Sequence, residues 1–114
     1  MSDAPLAEVV FTSEFKRSLR RLAKRYRSVR QDLEPLVRRI AWGETPGDRV
    51  QGVGAVVYKA RVANSDARRG TSGGYRVLYY VPLQDRVVLL TVYSKSDQGD
   101  VSADALRRII AEGD

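Results

Sequence analysis

The chain has 114 residues, 43% of them hydrophobic, enough for one domain with its own core over residues 1–114 and no room for a second. Lysine and arginine outnumber aspartate and glutamate 20 to 14, and the net charge of +6 puts a polyanion such as RNA or DNA, or an acidic protein, first among partners. Cysteine and histidine are both absent, which excludes disulfides, thiolate nucleophiles, Cys/His zinc sites and the imidazole acid–base.

The first ten residues carry Asp3 and Glu8 where a secretory signal would be basic. The most apolar runs, Val77–Val81 and Val87–Val92, are far shorter than the roughly 20 residues that cross a bilayer. The expectation is a cytoplasmic protein with no membrane partner. Glu8–Thr12 is a short β-prone run, after which Thr12 or Ser13 can cap a helix by accepting free first-turn amides. Over Ser13–Tyr26, Phe15, Leu19, Leu22, Ala23 and Tyr26 recur at helical spacing and form one apolar stripe. The remaining face is basic, with Lys16, Arg17, Arg20, Arg21, Lys24 and Arg25. Between residues 13 and 30 eight basic side chains stand against the single acid Glu14.

A second helix is predicted over Leu33–Trp42, with Asp32 as its cap and Pro35 in the first turn, where a missing N–H costs little. Gly43 and Pro46-Gly47 end it and open a polar loop to Gly52. Strands are predicted at Val56–Ala63, Tyr75–Val81 and Arg86–Tyr93, the last two joined by a turn at Pro82-Leu83-Gln84-Asp85. Between the first two lies Asn64–Gly74, rich in glycine and polar groups. Ser102–Ala111 closes the series as an amphipathic helix. Helices followed by consecutive antiparallel strands predict an α+β fold: two N-terminal helices on a small, mainly antiparallel twisted sheet, and a short C-terminal helix.

Alternation puts Lys59 and Arg61 on one face of their strand, opposite Tyr58 and Val62. Arg76 stands among apolar neighbours in the next strand, where a charge must reach solvent, find a partner or belong to a site. Tyr93 and Lys95 share a face at the end of the third. If these strands are neighbours, four cations and a phenol converge, and they repel one another unless an anion lies between them. Two plainer readings stand beside this one. Strand lysines and arginines are commonly solvated at an open face, and a charged helix face opposite an apolar stripe is ordinary. The near-single sign of the helix argues for more than solubility, which mixed charges would serve. The glycines of Asn64–Gly74 fit turn geometry alone, but with Arg68 and Arg69 they also suit a loop that closes on a phosphate backbone. No glycine-rich nucleotide loop and no metal-ligand spacing is present.

Gly52, Gly54, Val57-Tyr58-Lys59 and Arg61, followed by RGTSGGYRVLYY (Arg69–Tyr80), resemble the RelE/ParE superfamily of bacterial toxins. Val92-Tyr93-Ser94-Lys95-Ser96 before a last short helix is similar to its HigB/RelE-type members. The resemblance runs from about Phe11 to Ile110. It implies a RelE-like fold and a toxin of a type II toxin–antitoxin pair, neutralised by a cognate antitoxin that carries a DNA-binding domain. It further implies that the toxin enters the ribosomal A site and cleaves messenger RNA there, without metal or cofactor, by attack of a ribose 2′-OH on the adjacent phosphate. Lys59 and Arg61 match the family's basic pair, Arg76 its Gly-Tyr-Arg arginine, and Lys95 a basic residue after the last strand. Ser96 and Ser102 stand where the best-known members carry arginine and tyrosine, and Tyr93 is the phenol left to substitute.

Such a reaction needs a proton acceptor, a cationic cradle for the phosphorane and a proton donor to the leaving 5′-oxygen. Arg61 and Arg76 suit the cradle because guanidinium is always charged and grips phosphate in a fork. Lys59 or Lys95 would move a proton, and Tyr93 would relay one or stack on a base. The helix residues Lys16, Arg17, Arg20, Arg21, Lys24 and Arg25, with Arg68 and Arg69, would bind ribosomal RNA. Two other readings remain: a gyrase inhibitor acting by protein binding, as some superfamily members are, and a non-catalytic RNA-binding domain.

Overall fold

The computed structural model describes residues 5–68 and 70–113. In chain order it comprises β1 (Glu8–Phe11), α1 (Ser13–Arg25), α2 (Val29–Ala41), β2 (Asp48–Arg49), β3 (Val57–Val62), β4 (Tyr75–Leu83), β5 (Arg86–Ser94) and α3 (Ala103–Glu112). The sheet order is β1-β5-β4-β3-β2. All its pairings are antiparallel except β1 with β5, which is parallel. The expected α+β class holds. No helix among the described residues is long and apolar enough to cross a membrane.

Thr12 does two jobs at the start of α1. Its hydroxyl oxygen accepts from the Phe15 N–H at 2.9 Å, and the hydroxyl donates to the Leu90 carbonyl at 2.8 Å. One side chain thus caps the helix and ties it to β5. Ser102 caps α3 in the same way through the Ala105 N–H.

α2 begins four residues before the predicted start, after Ser28, so Pro35 lies inside the helix and not in its first turn. The helix tolerates this because Pro35 and Gln31, whose carbonyl loses its partner, both face water. Asp32 does not cap the helix. Its carboxylate accepts from the Ser65 N–H and hydroxyl, 2.9 and 3.0 Å away. The polar loop after α2 contains a strand, β2, which pairs Asp48 with Lys59 and Arg49 with Tyr58. The β4–β5 turn is tighter than predicted: Pro82 and Leu83 belong to β4, and Gln84-Asp85 form the turn.

The sheet is covered on both faces, unequally. On one, α1 and α2 bury Phe15, Tyr26, Val29, Leu33, Leu36 and Ile40 against Ala60, Val62, Tyr75, Val77 and Tyr79. On the other, α3 alone buries Leu106 against Val57, Leu78, Val88, Leu90 and Tyr93. By strand alternation this second face also carries Lys59, Arg61 and Arg76.

Candidate functional site

Strand register decides what meets on the second face. Arg61 of β3 is the direct partner of Arg76 of β4, and Arg76 is the direct partner of Tyr93 of β5. Directly opposed side chains in such ladders start about 5 Å apart. The alternation predicted for Lys59 and Arg61 is therefore what lines up two guanidinium groups and a phenol across three strands. Gly47 helps hold β3 in place: at φ +101° it lies so close to the Lys59 carbonyl that any Cβ would collide with it.

The anion that such a cluster requires is supplied by the chain itself. Asp100, in the segment between β5 and α3, accepts from Lys59 Nζ at 3.0 Å and from the Tyr93 hydroxyl at 3.3 Å. Hydrogen bonding and charge from Lys59 hold the Asp100 carboxyl below its ordinary range, and the charge of Lys95 adds to the effect. Tyr93 moves the other way. Burial, then the Asp100 charge, push its phenol above the ordinary value, and the nearby Arg76 offsets part of this. Lys95 is exposed, and its backbone N–H donates to the Gly74 carbonyl at 2.9 Å. Lys59 and Tyr93 meet at Asp100, Lys95 acts on it by charge, and Arg76 lies beside Tyr93 in the ladder with Arg61 one strand further on.

Arg76 is the surprise among them. It is buried, and its guanidinium donates to three backbone carbonyls: Thr71 at 2.8 Å, Ser72 at 2.7 Å and Tyr75 at 3.1 Å. Its fork grips the 71–75 turn, which leaves part of its donor set for anything in front of the sheet. Arg61, by contrast, is exposed and has a loose partner in Asp48 at 3.9 Å. Lys59, Arg61, Asp48, Thr71 and Arg39 border a cleft of about 520 Å³ at the β2–β3 edge.

The 64–68 segment departs from the expected flexible loop. Asp32 holds Ser65, Asp66 accepts from the Ser28 N–H at 2.6 Å, and Asn64 is buried with its side chain accepting from Ala67. Arg68 is exposed at the end of this fastened turn, with φ +54°. Arg69 lies outside the described residues.

The six basic residues of α1 are all exposed, but only three of them border a groove. Arg17 and Arg21 border a groove of about 430 Å³ against β5 and α3, where Arg108 joins them. Arg21 and Arg25 border its continuation along Tyr93 and Ser94. Arg17 pairs with Glu14 and Arg25 with Asp97. Lys16, Arg20 and Lys24 do not border these grooves; by the 100° helical step they follow one another along the adjoining strip of α1, with Lys24 only about 20° from Arg17.

Sequence reading missed Asp100, because its two partners are 41 and 7 residues away and nothing local marks it. It also missed Asp48, which lay in a stretch read as loop. Among the described residues, no group of three or more carboxylates gathers in a way that could hold a metal ion.

Among solved structures, TrmO from Pseudomonas aeruginosa is similar at 16% identity with a TM-score of 0.50, over 82% of this chain and 38% of that one. The likeness is one of fold, and the chain spans well under half of TrmO's length. A family model described as the RelE toxin of the RelE/RelB toxin–antitoxin system matches residues 11–112. The chain belongs to that family.

Proposed function

We propose that this toxin is a metal-independent endoribonuclease that cuts translated messenger RNA in the ribosomal A site and is held inactive by its antitoxin, which carries a DNA-binding domain. The observation that carries the reading is the register of Arg61, Arg76 and Tyr93 across three neighbouring strands, with Lys59 and Tyr93 sharing Asp100, in a chain of the RelE toxin family. It would act in the cytoplasm, where ribosomes translate.

Each residue has a task its chemistry suits. Arg61 and the free donors of Arg76 stabilise the extra negative charge of the phosphorane. Tyr93 keeps its proton at neutral pH, since burial and Asp100 raise its phenol, so it serves as a donor to phosphate or to the leaving 5′-oxygen. Lys59 and Lys95 flank the reacting phosphate from β3 and from the turn after β5. Arg17, Arg21 and Arg25 line the approach along α1 and bind ribosomal or messenger RNA through phosphate.

The test is expression in cells followed by mapping of messenger 5′ ends. Cuts inside translated codons are expected. Arrested replication with intact messengers would replace the reading by gyrase inhibition. Ribosome pelleting tests the helix: replacing Arg17, Arg21 and Arg25 should flatten the log–log salt slope by about 0.7–0.9 for each phosphate that is no longer neutralised. Replacing Lys16, Arg20 and Lys24 should flatten it less. Equal slopes for both triples would remove the groove from the account.

A further inference from the structure

Lys59 Nζ and the Tyr93 hydroxyl come from different strands, yet both donate to the same oxygen, Oδ1 of Asp100. They define a position the size of one oxygen atom in front of the sheet, approached by donors. Asp100 does not belong to the sheet. Its side chain is 73% exposed, and every residue from Lys95 to Asp100 is exposed. The turn before it is fastened by the Asp97 and Gln98 N–H groups on the Ser94 carbonyl, and Asp100 reaches back over the face from beyond that anchor.

We propose that this oxygen position is the seat of a non-bridging oxygen of an RNA phosphodiester, and that Asp100 is its built-in occupant, displaced when substrate arrives. The inference rests on the reading of this face as the RNA-cleaving one. Its chemistry is that of the donors. An ammonium has only donors and a phenol that keeps its proton adds an O–H donor, so the pair favours an anionic oxygen between them. Asp48 answers Arg61, but Lys59 and Lys95 act on Asp100 and Arg76 on Tyr93 beside it, which is more positive charge than one carboxylate neutralises. A phosphodiester passing to a phosphorane brings a second negative charge, which suits that surplus. The exposure of the ion pair also matters. A solvated carboxylate holds its partner weakly and yields to a phosphodiester, which brings the same single charge on two oxygens plus contacts through its sugars and bases, whereas a buried one would block the site.

The experiment titrates the full chain with a 2′-O-methylated RNA dinucleotide, which cannot cleave itself, and follows the Tyr93 ring and Lys59 side chain by NMR. Asp100→Asn is expected to tighten binding about two- to sixfold, the fraction of molecules in which an exposed ion pair otherwise fills the seat. Asp104→Asn removes the same charge from a carboxylate bonded to Arg107 and should change affinity by less than about twofold. Equal gains for the two variants would mean a general charge effect and overturn the proposal. Unchanged or weaker binding by Asp100→Asn would overturn it as well. In a Lys59→Met background Asp100→Asn should give no gain, and a gain there would sink the idea. Inorganic phosphate serves as a parallel ligand: a gain with phosphate but none with the dinucleotide would overturn the phosphodiester seat and assign the position to a terminal phosphate. No messenger is cut in this titration, so loss of the nuclease reading and loss of the Asp100 seat are seen in different experiments.

Discussion

The face of the sheet that carries α1 and α2 and the face that carries α3 are made by alternate residues of the same strands. On β3, Tyr58, Ala60 and Val62 point to the first, while Val57, Lys59 and Arg61 point to the second. On β4 the split is Tyr75, Val77 and Tyr79 against Arg76, Leu78 and Tyr80. Two helices close the first face, so every one of these positions there is apolar or aromatic. One ten-residue helix covers part of the second, and polar groups occupy the part it leaves open. Both faces have a buried core, but the charges lie only on the second: Lys59 and Arg61 reach solvent where the helix stops, and the buried Arg76 is held by backbone carbonyls.

That division can be broken or sharpened by substitution. The largest effect is expected on the covered face: Ile40 is fully buried under the sheet, and Ile40→Ala should cost about 2–5 kcal/mol of stability by transfer and cavity terms. Urea denaturation measures it, and a loss below about 1 kcal/mol would show that α2 is not a principal support. Lys59→Ala is the converse. It should lower messenger cleavage about 10²–10³-fold, the worth of one donor aimed at transition-state charge, while stability moves by no more than about 0.5 kcal/mol. A stability loss as large as that of Ile40→Ala would erase the distinction between the faces.

Arg76→Ala lies between these two cases. Its three bonds to the 71–75 carbonyls predict a loss of about 1–3 kcal/mol. Faster amide exchange at Gly73 and Gly74 should accompany a fall in cleavage. If cleavage falls while exchange stays unchanged, Arg76 acts on RNA and not on the turn. The smallest effect belongs to Tyr75, whose buried hydroxyl finds no hydrogen-bond partner among the described residues. Tyr75→Phe removes a desolvated polar group and should raise stability by up to about 1 kcal/mol, read as a higher denaturant midpoint at unchanged slope. A loss would reveal a partner for that hydroxyl in the folded protein.

Much of this is legible in the sequence where the signal is local. The Thr12 cap and the Phe15-to-Tyr26 stripe specify α1, and two-residue alternation specifies which side of β3 is charged. The misses share a cause. Pro35 points to a helix start because proline usually marks one, but what it costs depends on whether the orphaned carbonyl meets water, which a sequence does not state. β2 is two residues long and exists by pairing with β3, with no pattern of its own. Asp100 and the carbonyls gripped by Arg76 are nonlocal or backbone groups, invisible to side-chain patterning. The cluster can therefore be inferred from parity, whereas its internal counter-ion and the anchoring role of its central arginine emerge only from the folded chain.

The parallel pairing of β1 with β5 has a consequence for the order in which the chain assembles. The Thr12–Leu90 hydrogen bond that accompanies it joins residues 78 apart, whereas β2, β3 and β4 pair with their successors in sequence. A growing chain can form α1 and α2 early, but β1 stays without its partner until β5 has left the ribosome, and the sheet that both helices need as a floor arrives with it. β1, synthesised before the strands it joins, is thus among the last to dock. A nascent toxin of this topology completes its working face only after β5 and the segment carrying Asp100 have been made.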